Sequence, residues 1–486
     1  MSGAARRPFV EALGVASLAA ILYVALASRY PGWGDAADLA RRAVDGPLTP
    51  FGRSYALQSL AVRAFATVAS PAAALAIVSS LSAAVGTGLV YWGCRSPLGL
   101  DASSAAGAAL TLGCSHTYAS SAVDGEVYAL LGALTAAAAV AALAARRYPT
   151  LELGAGALAG LAASHHRAAL VLIPLGALWL SAAAAPSRRR SAALRFTVGV
   201  LLGCVPLFIL VAMEVSRDPS TPSIVLLRKV VFGAARNADL FFASERSLSA
   251  SLVYVAKWLI FNLPGPALVA AAIGWACVAR DHGRRTALGI GIALASLLVL
   301  PLRFDGVGDR YALIVPLYPL VALLAGIGVQ EVTLRRSGWG IGVAMSCALA
   351  PMAAYVALGA TDLGPRVLPR LRAAAATEFF IPSRWGAIGS STWARETLDA
   401  IPSGGTIFAE WGAGGALDYA RRIDGIREDV RVIRHMPDAA SPVGVGTARA
   451  FVALTPIWSD ESARLATTGV RAERVGPSLY RLHAAR

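Results

Sequence analysis

The stretch Trp33-Gly34-Asp35-Ala36-Ala37-Asp38-Leu39 decides how the chain reads, because it follows the first apolar segment and carries two carboxylates. Residues 9–27 are mainly apolar and small, and with their flanks they are long enough to cross a bilayer. Asp35 and Asp38 therefore stand about where that helix leaves the membrane. Three residues apart, they share one face if the segment turns helical. A carboxylate at the water–lipid boundary can meet the head of a lipid-linked substrate. The same residues also read as a solvated loop, or as Asp35 capping a short helix that begins at Ala36. The rest of the chain has to decide between these readings.

Composition narrows the class. The 486 residues are 56% hydrophobic and 15% charged, with mean hydropathy +0.59, whereas a soluble domain carries roughly 25% charged residues. This is the composition of an integral membrane protein. The net charge of +15 comes almost wholly from arginine, since Lys229 and Lys257 are the sole lysines. The arginines sit in short clusters between apolar runs, which is how positive-inside topology is written, and this argues against a nucleic-acid partner. Cys94, Cys114, Cys204, Cys277 and Cys347 all lie in or beside apolar segments and are odd in number, so neither a disulfide framework nor a metal cluster is expected. The first apolar segment lacks a convincing cleavage site and reads as a retained anchor.

Counting apolar runs predicts about eleven transmembrane helices within residues 1–360. After the first come 72–92, 102–122, 127–145, 153–163, 168–185, 194–215, 263–279, 287–302, 311–329 and 339–358. Residues 28–69 form the first loop, and 56–68, with Gln58 and Arg63 among apolar neighbours, read as an amphipathic helix at the interface. Placing Arg6-Arg7 in the cytoplasm places Arg95, Arg146-Arg147, Arg188–Arg190, Arg284-Arg285 and Arg335-Arg336 there too. The expected location is the cell inner (plasma) membrane, multi-pass, with a cytoplasmic N-terminus. The Asp35 loop, the Glu126 loop, His165-His166, the Asp305–Arg310 loop and the tail then face the exterior.

From about Thr361 the composition becomes that of a soluble segment. Short strands at 406–409, 430–433, 450–454 and 478–482, with helices at 415–423 and 460–467, predict a small α/β domain over 361–486. It contains no P-loop, no G-x-G-x-x-G after a strand and no metal-ligand spacing.

Three further loops carry ionisable groups. Glu126 opens the fourth span after the short loop Val123-Asp124-Gly125, where it also suits a helix N-terminus. His165 and His166 interrupt an apolar run, which makes them functional candidates or a polar turn at the surface. Arg310, after Asp305 and Asp309, could hold a lipid phosphate in a bidentate contact or anchor its span by snorkelling.

These residues resemble a known family, the bacterial membrane proteins related to protein O-mannosyltransferases (the DUF2723 group), which have the GT-C glycosyltransferase fold. Gly34-Asp35-Ala36-Ala37-Asp38-Leu39 resembles its G-D-S-G-E-L, with Asp38 where the family has glutamate. Glu126-Val127-Tyr128-Ala129-Leu130 resembles its E-V-Y-x-L, and Gly160-Leu161 through Ser164-His165-His166 resembles its G-L…N-H stretch. In the tail, Gly405–Phe408, Asp418-Tyr419 and Ile426–Val430 follow the family's strand, W-Y helix and R-x-D-V segment. Ser164 stands where the family has asparagine, and two further stretches depart from the pattern. The family's H-P-P-G-Y-P-L is here Thr49-Pro50-Phe51-Gly52-Arg53-Ser54-Tyr55, and the acidic strand end is Glu410-Trp411-Gly412.

The resemblance implies a GT-C-like, all-α polytopic membrane domain with a small α/β tail. It implies transfer of a sugar, mannose in the family, from a polyprenyl-phosphate carrier to an acceptor hydroxyl on a protein or glycan at the extracytoplasmic face. The donor is a lipid-linked substrate, no cofactor is implied, and a divalent metal is left open. A phosphate leaving group needs no general acid, so one carboxylate suffices as base, unlike the pair a glycosidase uses. Asp35 is the expected base. Asp38, Glu126 and Tyr128 are expected to bind substrate, with His165, His166 and Arg310 facing the lipid phosphate. In-line displacement implies inversion. The competing readings are a transporter or flippase, with ionisable groups along a midplane path, and a catalytically silent scaffold. A transferase should gather its carboxylates and a cation around one cavity at the membrane surface.

Overall fold

The computed structural model describes residues 3–49, 55–183, 186–232, 247–303, 310–336, 338–384, 386–437, 449–466, 468 and 471–483. The first helix, α1 (Gly3–Leu26), turns most of its apolar side chains outward, with Phe9, Leu18 and Ile21 all more than half exposed. Its one carboxylate, Glu11, is answered by the next long helix. Arg95 Nε and Tyr91 Oη donate to it at 2.9 and 3.1 Å, with Arg7 Nε at 3.0 Å from its own helix. A charge inside an apolar segment is tolerated when it is paired in this way.

The first loop is structured. It holds α2 (Asp35–Asp45) and α3 (Ala56–Phe65), followed by α4 (Pro71–Arg95). Ser70 caps α4 by accepting from Ala73 N, with Pro71 at the first helical position. The expected surface helix over 56–68 is shorter, and its polar residues turn inward. Buried Gln58 donates to Ser79 Oγ at 3.0 Å, and Arg63 donates to the carbonyls of Ala43 and Gly46 at 2.6 Å each, closing the C-terminal end of α2. These hydrogen bonds turn the polar residues of the helix into the protein.

The run at 102–122 divides into α5 (Ala102–Gly113), capped by Asp101, and α6 (His116–Asp124). After α7 (Tyr128–Ala144) comes α8 (Leu151–His165), which packs against the helix Arg189–Gly203. Gly156 and Gly160 on one helix meet Gly199 and Gly203 on the other. A Cβ at any of the four would overlap a backbone carbonyl of the facing helix. This is the small-xxx-small contact through which apolar helices approach closely.

Among the described residues, four helices are long and apolar enough to cross a membrane: Arg6–Leu26, Pro71–Arg95, Tyr311–Arg335 and Trp339–Ala360. Two bent pairs, Arg189–Gly203 with Val205–Arg217 and Leu248–Asn262 with Pro266–Asp281, bring the number to six if each is one span. Others are shorter, as at Tyr128–Ala144 and Thr286–Leu297. The chain is therefore a helical membrane protein, with fewer clear spans than a count of apolar runs suggests. Breaks such as the one between α5 and α6 split runs that composition alone joins.

Beyond Ala360 the helix Ala373–Phe380 leads to a five-stranded sheet of order β2-β1-β3-β5-β4. β1 (Thr406–Ala409) pairs in parallel with β2 (Arg431–Ile433) and β3 (Ala450–Ala453). The hairpin of β4 (Arg471–Gly476) and β5 (Leu479–His483) joins β3 antiparallel. β4 was not foreseen. Arg471, Glu473 and Arg474 give it the composition of a loop, and it survives as an edge strand whose charges face out. The helix Trp411–Arg422 covers one face and packs on α2.

Candidate functional site

A cavity of about 190 Å³ lies where the helical bundle meets the sheet unit. Its walls come from the loop after α1 (Trp33, Ala36), from α6 and the turn after it (Asp124, Glu126, Tyr128), and from the helix Ala373–Phe380 (Glu378), with Arg384 beside them. The turn between α6 and α7 exists because Gly125 takes φ +81°. A Cβ there would also stand 3.0 Å from Leu75. Asp124 ends α6 on one side of this glycine and Glu126 follows on the other, so both carboxylates reach one cavity. The Glu126 backbone is pinned: its carbonyl accepts from Ser79 Oγ at 3.0 Å and Gln58 Nε2 at 3.3 Å.

Arg384 is fixed by its own amide, which donates to Leu26 O at 2.8 Å, and by guanidinium bonds to the Ile381 and Ser383 carbonyls. It grips Asp124 bidentately, with Nη2 to Oδ2 at 2.9 Å and Nε on Oδ1. Burial pushes the Asp124 carboxyl above its ordinary range, and the guanidinium opposes that push. Glu378 is likewise raised, chiefly by burial, with Arg384 opposing and Asp124 adding to the rise.

Asp35 is the first residue of α2, between Trp33 and Ala36 on the cavity wall, with Gly34 before it at φ +69°. Its carboxylate turns toward the sheet unit, where Trp411 Nε1 donates to Oδ1 at 2.5 Å. The backbone follows the same path, since Gly34 N donates to Gly412 O at 3.1 Å. Asp38, one turn on, is fully buried. It pairs with Arg41 at 3.0 Å, with Arg42 at 2.9 Å and with Arg434 of the sheet unit. Burial works to raise its carboxyl, but Arg434, Arg42 and Arg41 together hold it below the ordinary value. Asp35 thus stands beside the cavity wall with its carboxylate turned to the sheet unit, and Asp38 is in the joint between the two units.

The histidines stand behind the wall. His165 Nε2 is 3.0 Å from Val127 O, which fixes that nitrogen as the donor. His166 Nδ1 accepts from Ala168 N at 3.1 Å, and its ring lies 5.3 Å from Tyr128, which does line the cavity. Tyr55 stacks on His166 with rings 2° from parallel at 5.6 Å. The Arg310 side chain, Asp305 and Asp309, and residues 50–54 of the altered turn lie outside the described residues. Tyr311, next to Arg310, lines the cavity and stacks on Trp258 at 4.1 Å. Among the described residues no group of three or more His, Cys, Asp or Glu is arranged to hold a metal ion.

Of the expected site residues, Glu126 and Tyr128 line the cavity, Asp35 adjoins its wall residues Trp33 and Ala36 without lining it, and both histidines lie behind the wall. Asp124, Glu378, Arg384, Trp411 and Arg434 were missed as site residues. Asp124 stood in the quoted turn but outside the motif match. Glu378 and Arg384 come from the segment after Trp339–Ala360, where a soluble composition hid their return to the helical bundle.

No protein-family model matches the chain, and no characterised protein matches it in sequence. Solved structures do match in shape. The crystal structure of ArnT from Cupriavidus metallidurans bound to undecaprenyl phosphate aligns at TM-score 0.56 and 16% identity, covering 97% of each chain. The Archaeoglobus fulgidus oligosaccharyltransferase in complex with Zn and sulfate aligns at TM-score 0.51 and 12% identity, covering 96% of this chain and 73% of that one. The arabinofuranosyltransferase AftD from Mycobacteria aligns at TM-score 0.50 and 15% identity, covering 99% of this chain and 40% of that one. The chain has the fold of the GT-C glycosyltransferases.

Proposed function

We propose that this chain is a membrane glycosyltransferase that moves a sugar from a polyprenyl-phosphate carrier to an acceptor hydroxyl. The observation that carries the reading is the cavity between bundle and sheet unit, which gathers Asp124, Glu126, Glu378 and Arg384 beside Trp33 and Ala36, the neighbours of Asp35. A shape shared with a protein crystallised with undecaprenyl phosphate supports the same carrier. In this reading the bundle, residues 1–360, has about eleven spans and a cytoplasmic N-terminus. The unit over 361–486 and the cavity are extracytoplasmic, in the inner membrane.

The chemistry follows from the leaving group. The departing polyprenyl phosphate is a stable anion and needs no proton, so the protein has to supply a base and a fixed geometry. Asp35, held by Trp411, takes the proton of the acceptor hydroxyl while that oxygen bonds to the anomeric carbon. The carbon–oxygen bond to phosphate breaks with its electron pair going to the phosphate. Attack opposite the leaving group inverts the configuration. Glu126 and Tyr128 contact the sugar, and the Tyr128–His165–His166 side and Arg310 face the phosphate. Asp38 acts on substrate through the joint it holds, and mannose is the sugar the family resemblance suggests.

Purified full-length protein, given undecaprenyl-phosphate mannose, glucose or arabinose and cell-envelope acceptors, should yield a glycosylated product and free undecaprenyl phosphate. Absence of turnover with the whole panel would count against the reading.

A further inference from the structure

Three carboxyl groups line the cavity, and they differ in what already occupies them. Asp124 is gripped bidentately by Arg384. Glu126 lies in a turn whose backbone is pinned by Ser79 and Gln58. Glu378 is half-buried, and its carboxyl makes no hydrogen bond or ion pair with any described residue. A carboxyl that lines a cavity and has no protein partner keeps its acceptor oxygens for whatever enters the cavity.

The scaffold around Glu378 is rigid. Its neighbour Thr377 donates through Oγ1 to Gly359 O at 2.8 Å, tying the short helix to the last span. On the other side the Phe379 carbonyl accepts from His116 Nε2 of α6 at 3.0 Å. Phe380 is buried against Phe261 with ring centroids 5.8 Å apart. Glu378 is thus a cavity-lining carboxyl whose chain neighbours are held on both flanks, as ligand recognition requires. Arg384, the nearby cation, is occupied by Asp124 and does not neutralise it by contact.

We propose that Glu378 is a sugar-binding residue of this site, its two carboxylate oxygens accepting hydrogen bonds from neighbouring hydroxyls of the donor's sugar. The inference rests on the transferase reading. With the acceptor engaged at Asp35, the cavity that Glu378 lines is left to the sugar that is transferred. A carboxylate offers acceptors only, so it selects hydroxyl donors and discriminates strongly against a donor sugar lacking one of them.

The test compares full-length wild type, Glu378→Gln and Glu378→Asp in detergent. It uses undecaprenyl-phosphate sugars, their singly deoxygenated analogues, and undecaprenyl phosphate without sugar. For the transferred sugar, Glu378→Gln should lower kcat/KM by about 10- to 100-fold, and Glu378→Asp, which keeps the acceptors but withdraws them, by less. The deoxy analogue that costs the wild type most should cost the Gln variant little, and affinity for the bare carrier should stay within about twofold. Equal discrimination by both proteins, an unchanged kcat/KM, or a parallel loss of carrier affinity would overturn the assignment while leaving the transferase reading intact. A wild type that turns over none of the donors overturns the reading and the assignment together.

Discussion

Trp411 Nε1 donates to Asp35 Oδ1 at 2.5 Å, so the first residue of a sheet-unit helix holds the first residue of the loop helix α2. The contact is one link of a longer chain. The Arg434 guanidinium lies 4.0 Å over the Trp411 ring and also pairs with Asp38, one turn beyond Asp35. An indole, a guanidinium and two carboxylates thereby fix the loop against a unit nearly 400 residues away in sequence. Replacing Trp411 by phenylalanine removes the donor but keeps a ring for Arg434. We predict a loss of about 10-fold in kcat/KM for sugar transfer with little change in melting temperature, as expected for one charge-assisted hydrogen bond. Steady-state kinetics beside a thermal melt checks both halves.

Asp38 makes the opposite prediction. It is fully buried under three guanidinium groups, so Asp38→Asn leaves uncompensated positive charge in the joint. Removing one partner from a buried ionic group costs about 3–5 kcal/mol, which should appear as a lowered melting temperature and faster proteolytic cleavage between bundle and sheet unit. If the variant melts with the wild type, the ionic joint is not what holds the units together.

The same group sets a pH dependence. The folded protein holds the Asp38 pKa below its ordinary 3.8, so its ionised form favours folding. That contribution is complete above 3.8 and is lost as pH falls through the depressed folded value. Acidification from pH 7 should therefore leave this part of the stability untouched until below about pH 4, where the wild type converges on the Asn variant. Melting curves of both proteins across that range measure it.

Much of the bundle is legible in the sequence because membrane helices must satisfy their backbone internally, so long apolar runs announce themselves. The Gly156/Gly160 and Gly199/Gly203 pairs were equally open to reading, as they repeat the i, i+4 spacing of close helix contact. The cavity was legible where one turn carries it, as at Glu126 and Tyr128. It was not where a distant segment folds back: Arg384 meets Asp124 across 260 residues, and no local pattern encodes that pairing. Composition also misled over β4, because an edge strand needs hydrogen bonding on one side only and tolerates Arg471, Glu473 and Arg474.

Gly125 tests whether the turn is built to deliver its carboxylates. Alanine there must adopt φ +81° and bring a Cβ to 3.0 Å from Leu75 and 3.2 Å from the Ala76 nitrogen. We predict a destabilisation of about 1–3 kcal/mol, and a fall in transfer larger than the stability loss alone would cause because Asp124 and Glu126 both shift. Unfolding measured in parallel with activity at a temperature where the variant stays folded separates the two effects.

The account stands on Asp35 as the base of a sugar transfer beside the cavity. The most direct measurement is turnover of an undecaprenyl-phosphate sugar by purified wild type and Asp35→Asn, with the anomeric configuration of the product read by NMR. The account predicts an inverted product from the wild type and a loss of about 100-fold or more in kcat for the variant, with carrier binding retained. A variant that transfers at the wild-type rate, or a product with retained configuration, would contradict it.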